Sequence, residues 1–112
     1  MPLDETQRAI RKMAAEFARE ELWPGAEERD REARFPDEEL RQMGELGFLG
    51  MQVPEAYGGF DADYVSYAAV IEEIAAGDGA CSTIVSVHSS VGCAPIRDYG
   101  TDAQKEKYLP KL

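Results

Sequence analysis

From Ala80 to Ala94 the chain runs for fifteen residues without an Asp, Glu, Lys or Arg, although 30% of its residues are charged. Small and hydroxylated residues (Ala80, Cys81, Ser82, Thr83, Ser86, Ser89, Ser90, Gly92) are interleaved there with Ile84, Val85, Val87 and Val91. The pattern predicts a helix that is buried and packed closely on several sides. The depletion of cations is wider still: no Lys or Arg occurs between Arg41 and Arg97, while seven carboxylates lie between Glu45 and Asp78. No arginine clamp for a phosphate can come from that interval. Over the whole chain 22 acidic residues face 12 basic ones, for a net charge of -10. That balance disfavours nucleic acid and anionic membrane surfaces as partners and suits a basic protein surface.

The 112 residues suffice for one domain with a modest core. Apolar runs fall short of the roughly 18 to 20 residues that cross a bilayer, and the N-terminus lacks a signal-peptide or transit-peptide pattern. The cytoplasm is therefore the expected location, or the mitochondrial matrix in a eukaryote. Cys81 and Cys93 lie in small, apolar surroundings, which favours reduced buried thiols over a disulfide.

The remaining segments also read as helices. Leu3 to Leu22 is amphipathic, with Ile10, Met13, Ala14, Phe17 and Ala18 on one side. Trp23-Pro24-Gly25 is expected to interrupt it, and Ala26 to Arg34 to resume as a solvated helix. Pro36 followed by Asp37, Glu38 and Glu39 reads as a helix start that Gly47 closes. Phe48 to Gly59, with its glycines and proline, reads as a buried loop. A helix follows from about Asp63 to Ala76, with Glu72 and Glu73 on or near its wet side. Thr101-Asp102-Ala103-Gln104 matches a capping box opening a last helix from Asp102 to Tyr108. With no segment left for a sheet, the expected class is all-α, an orthogonal or up-down bundle of about five to six helices.

Catalytic patterns are weak. His88 with Cys81 and Cys93 has no metal-ligand spacing, and Ser89 and Ser90 beside His88 diverge around a helix and make no nucleophile system. Glu72 and Glu73 also point apart, which is wrong for an acid and base pair. Gly58-Gly59 lacks any phosphate-loop context and reads as a turn. No catalytic, cofactor-binding or metal residue is assigned from these patterns.

Four segments in order nevertheless resemble the N-terminal helical domain of the acyl-CoA dehydrogenase family: Leu46 to Gly59, Tyr67 to Asp78, Val87-His88, and Tyr99 to Pro110. The likeness spans essentially residues 1–112. It implies an FAD-dependent oxidoreductase of three parts, with a middle β-domain and a C-terminal helical domain to follow after Leu112. The implied reaction is α,β-dehydrogenation of an acyl-CoA thioester. A glutamate base from the C-terminal domain takes the α-proton and the flavin takes a hydride from the β-carbon. Electrons then pass to an electron-transfer flavoprotein, in fatty-acid or branched-chain amino-acid catabolism, and the enzyme is a homotetramer. Neither base nor flavin contacts fall within this segment, which alone is expected to be inactive and to bind no cofactor.

The resemblance also implies that the Ala80 to Ala94 helix walls the acyl cavity through Thr83, Ile84, Val87, His88 and Val91, which helical spacing places on one stripe. The branched Val87 and Val91 suggest a short or branched acyl group. Judged by residue type and spacing alone, Ile84, Val87 and Val91 read more readily as plain core, and His88 as a structurally satisfied histidine. Two other readings stay open: a free-standing acidic helical interaction module, and a helical acyl carrier without catalysis.

Overall fold

The computed structural model describes residues 2–112. Helix α1 (Glu5–Phe17) opens with a capping box that its sequence shows in Asp4 and Gln7. The Gln7 amide donates to the Asp4 carboxylate at 2.7 Å, and the Asp4 amide donates to the Gln7 side chain at 3.0 Å. The expected interruption at Trp23-Pro24-Gly25 does not occur. Instead Ala18–Leu22 forms a wide π turn that leads directly into α2 (Trp23–Glu32). Proline has no amide donor, and its ring collides with the carbonyl four residues back in an α-register. Here the Trp23 amide reaches back five residues to the Ala18 carbonyl, opening the turn ahead of the ring. The helical axis is thereby continued, and the chain leaves it only at Ala33, in the left-handed conformation.

Helix α3 (Asp37–Glu45) carries Asp37, Glu38 and Glu39 in its first turn, where the positive end of the dipole favours them. Gly47 then takes a φ of 88°, and a Cβ there would stand 2.6 Å from the Phe60 ring. The following loop contains two short 3-10 turns, Phe48–Gly50 and Glu55–Tyr57. Its first half is buried as expected, with Phe48, Met51 and Val53 in the interior. Its second half is not, since Glu55, Ala56 and Gly58 are exposed.

Helix α4 (Tyr64–Gly77) is capped by Asp63. Only Asp78 separates it from α5 (Gly79–Val87), which passes through a second π turn, His88–Cys93, into α6 (Ala94–Tyr99). The Ala94 amide again reaches back five residues, to Ser89, immediately before Pro95. Helix α7 (Asp102–Tyr108) has the expected Thr101 and Gln104 capping box, and Leu109–Lys111 closes in a 3-10 turn. Among the described residues there is no strand, so the all-α expectation holds.

The core forms where α1 packs on α4 and α4 on α5. Ala14, Leu22, Met43, Phe48, Met51, Val70, Ile74, Cys81 and Val85 are wholly buried there. Phe17 meets Phe48 edge-on, with centroids 6.3 Å apart. Each fully buried large side chain in this set contributes about 1.5–3 kcal/mol. A second small cluster of Val53, Cys93 and Leu109 fastens the far end of the second π turn to the loop and the C-terminal turn.

Candidate functional site

Helix α5 and its π continuation are not covered on all sides. Cys81, Val85, Ser89 and Cys93, every fourth residue, face the interior and are buried. Facing away, Val87 is 50% exposed and Val91 67% exposed. Thr83 is also exposed, and Ile84 and His88 are half-buried. The plain-core reading of Val87 and Val91 is thus overturned, and the helix expected to be buried and packed closely on several sides leaves one side open. The uncharged segment has two apolar faces, and this chain packs only one of them.

The five predicted residues Thr83, Ile84, Val87, His88 and Val91 come together on that uncovered side, forming an open wall. Its hydroxyl groups add little polarity, because the helix consumes them: Ser82 donates to the Gly79 carbonyl at 2.7 Å, Thr83 to the same oxygen at 3.2 Å, and Ser90 to the Ser86 carbonyl at 2.7 Å. His88 Nε2 lies 3.1 Å from the Leu112 backbone oxygen, within hydrogen-bond distance. The ring is thereby tied to the backbone, and among the described residues no Asp or Glu side chain bonds it in the way that orients a general base.

The start of this wall is anchored by a group of charges that sequence reasoning missed. Arg29, expected on a solvated helix, is only 5% exposed. Its guanidinium donates to Asp78 at 2.8 and 3.1 Å, to Glu39 at 3.2 Å and to the Leu22 carbonyl at 2.6 Å. Arg34 adds a bond to Glu39 at 3.0 Å. Asp78 also caps α5, accepting from the amides of Ala80 and Cys81. Burial pushes both carboxyls up, but this is outweighed. For Glu39 the hydrogen bond from Arg34, a backbone amide and the two guanidinium charges hold it below its ordinary value. For Asp78 the Arg29 hydrogen bond, the capped amides and the Arg29 charge do the same. The only sequence signal for this cluster was an arginine inside an otherwise exposed charged run, which composition cannot distinguish from its neighbours.

The two thiols are inert. Burial, reinforced by the Asp78 charge, pushes the Cys81 thiol up to about 12, and burial also raises that of Cys93. Both are therefore un-ionised at neutral pH and poor nucleophiles or ligands. Among the described residues no three His, Cys, Asp or Glu side chains converge as a metal site, and no helix is long and apolar enough to cross a membrane.

An exposed apolar helix face of this kind marks a surface that meets another molecule or a ligand. Residues 4–112 match the model of the acyl-CoA dehydrogenase N-terminal domain, and the chain belongs to that family. It is 44% identical over 112 residues to an acyl-CoA dehydrogenase of Bacillus subtilis, and 39% identical over 107 residues to the mitochondrial short-chain specific acyl-CoA dehydrogenase of Bos taurus. These alignments take in 100% and 96% of this chain but 30% and 26% of those proteins. Among solved structures, butyryl-CoA dehydrogenase from Megasphaera elsdenii superimposes with a TM-score of 0.92 at 33% identity, over 98% of this chain and 30% of its own. The structure reported for the electron transferring flavoprotein of Acidaminococcus fermentans, in work on flavin-based electron bifurcation, contains a chain with a TM-score of 0.95. That chain is 39% identical, over 100% of this chain and 30% of its own.

Proposed function

We propose that this domain supplies one wall of the acyl pocket in an FAD-dependent enzyme that oxidises an acyl-CoA thioester across its α,β bond. The observation that carries the reading is the uncovered stripe on α5, where Val87 and Val91 stand half or more exposed on an uncharged helix. Thr83, Ile84 and His88 complete the wall. Methylenes laid against such a surface gain about 0.8 kcal/mol each, so the size of these side chains sets which acyl groups fit. Two β-branched residues on the stripe favour a short or branched group. The short-chain and butyryl-CoA relatives support the same choice.

The residues here do not fit the phosphates of FAD or of CoA. The stripe carries no cation, and the guanidinium nearest its start is already engaged by Asp78 and Glu39. Phosphate binding, the flavin and the proton-abstracting base therefore belong to parts of the enzyme outside this domain. An electron-transfer flavoprotein as acceptor and a homotetrameric assembly complete the proposal; the Acidaminococcus likeness supports the former. Two buried free thiols suit a reducing compartment, the cytoplasm or a mitochondrial matrix.

The test is Val91→Phe in the assembled enzyme, with kcat/KM measured for butyryl-CoA and hexanoyl-CoA. The ratio should shift towards the shorter thioester by about tenfold or more. An unchanged ratio would leave the stripe as a docking surface for another protein part and sink the proposal.

A further inference from the structure

The acidic balance of the chain reverses along one seam of the bundle. Arg8, Arg11, Lys12 and Arg19, spaced i, i+3, i+4 and i+11 along α1 and its π continuation, lie on one side of the helical run. All four are exposed. With Glu73 of α4 they line two hollows of about 520 and 360 Å³, which share Ala15 and Glu73 and so run together as one trough between α1 and α4. At one end the lining is small and apolar, from Ala15, Ala18, Ala76 and Gly77, and Trp23 stands beside them 69% exposed.

Four cations, a third of those in the chain, thus meet one carboxylate in a molecule of net charge -10. That carboxylate is already engaged, since Glu73 accepts from Arg11 at 2.8 Å. Arg8 donates to the Leu3 carbonyl, which leaves its charge unneutralised, and the nearest carboxylate to Arg19, on Glu20, is 3.8 Å away. Lys12 forms no ion pair among the described residues. Tryptophan and arginine are also the residues that most often dominate the energy of a protein interface.

We infer that this trough docks a short acidic segment of a partner protein, whose carboxylates meet the four cations and whose apolar side chain packs on Trp23. From Arg8 to Trp23 the run rises about 22 Å, a distance that about seven extended residues cover. A long polyanion or an anionic bilayer does not fit, because it overruns the trough onto Glu5, Glu16, Glu20 and Glu21, all exposed on the same run, which repel it. A short segment escapes that repulsion, since charges more than about 10 Å off are largely screened. No residue of the trough belongs to α5, so this surface stands apart from the acyl wall and does not depend on it.

The experiment uses the assembled flavoenzyme and a fluorescently labelled peptide of glutamates around a single leucine, with binding read by anisotropy at several salt concentrations. The parent should bind the peptide, and more weakly as salt rises. Lys12→Glu with Arg19→Glu should weaken binding by about tenfold or more and flatten the salt dependence. Trp23→Ala should weaken it by about tenfold at every salt concentration. Acyl-CoA turnover should stay at the parent's level in each variant. No binding by the parent, equal binding of the lysine counterpart of the peptide, or unchanged binding after charge reversal would overturn the inference. Tighter binding to phosphatidylserine vesicles than to the peptide would do so too, as would self-association of the parent that charge reversal abolishes, which would make a second copy the occupant.

Discussion

Arg29 makes four hydrogen bonds to three acceptors from a position that water hardly reaches. Removing one partner of such a buried group leaves the others charged and unpaired, which typically costs about 3–5 kcal/mol. Arg29→Ala should therefore lower the midpoint of urea unfolding strongly. Arg29→Lys should recover only part of the loss, because an ammonium lacks the planar fork that engages Asp78 twice. The same cluster makes stability depend on pH. Glu39 and Asp78 are held below their ordinary values of 4.5 and 3.8 in the folded chain. Their contribution is complete above those values and is lost as the pH falls through the lower folded-state values. Urea midpoints measured from pH 7 down to pH 3 should fall in that acid range, and Arg29→Ala should flatten the dependence.

Where α4 ends, Gly77 presses against the first π turn. A Cβ there would lie 2.9 Å from the Ala18 Cβ, 3.0 Å from its carbonyl oxygen and 3.1 Å from the Leu22 Cβ. Gly77→Ala should force α4 away from the π turn and cost about 1–3 kcal/mol, measured by calorimetric melting. Helices α3, α4 and α7 were legible because their starts are written in Asp37-Glu38-Glu39, in apolar spacing and in the Thr101 box. The two π turns were not, since Trp23-Pro24 and Ala94-Pro95 look like helix breakers until tertiary packing holds the axis together. Nor does local sequence separate Arg29 from Arg31: only the approach of α3 and of Asp78 makes one a buried hub. For the candidate site, the family resemblance singled out Thr83, Ile84, Val87, His88 and Val91, and helical spacing put them on one stripe. Which stripe of α5 would be the bare one depended on where α4 lay against it.

At the scale of the whole molecule, an apolar helix face without a partner attracts another apolar surface. The isolated domain should self-associate, and sedimentation should show dimers or larger species at micromolar concentration. Val87→Asp with Val91→Asp should restore a monomer without lowering the melting temperature, because neither side chain belongs to the core. The isolated domain should also show no flavin absorbance and no acyl-CoA dehydrogenase turnover; a yellow, active preparation would contradict the division of labour proposed above.

The alternation along α5 has a consequence for how such a protein changes over time. Cys81, Val85, Ser89 and Cys93 are buried and hold the fold, whereas Thr83, Val87 and Val91 between them are exposed. If the stripe is the proposed acyl wall, a mutation at position 83, 87 or 91 falls on an exposed side chain and is screened for what the pocket admits more than for whether the chain folds. A lineage can thus explore new acyl groups by drifting along one side of a helix whose other side stays fixed.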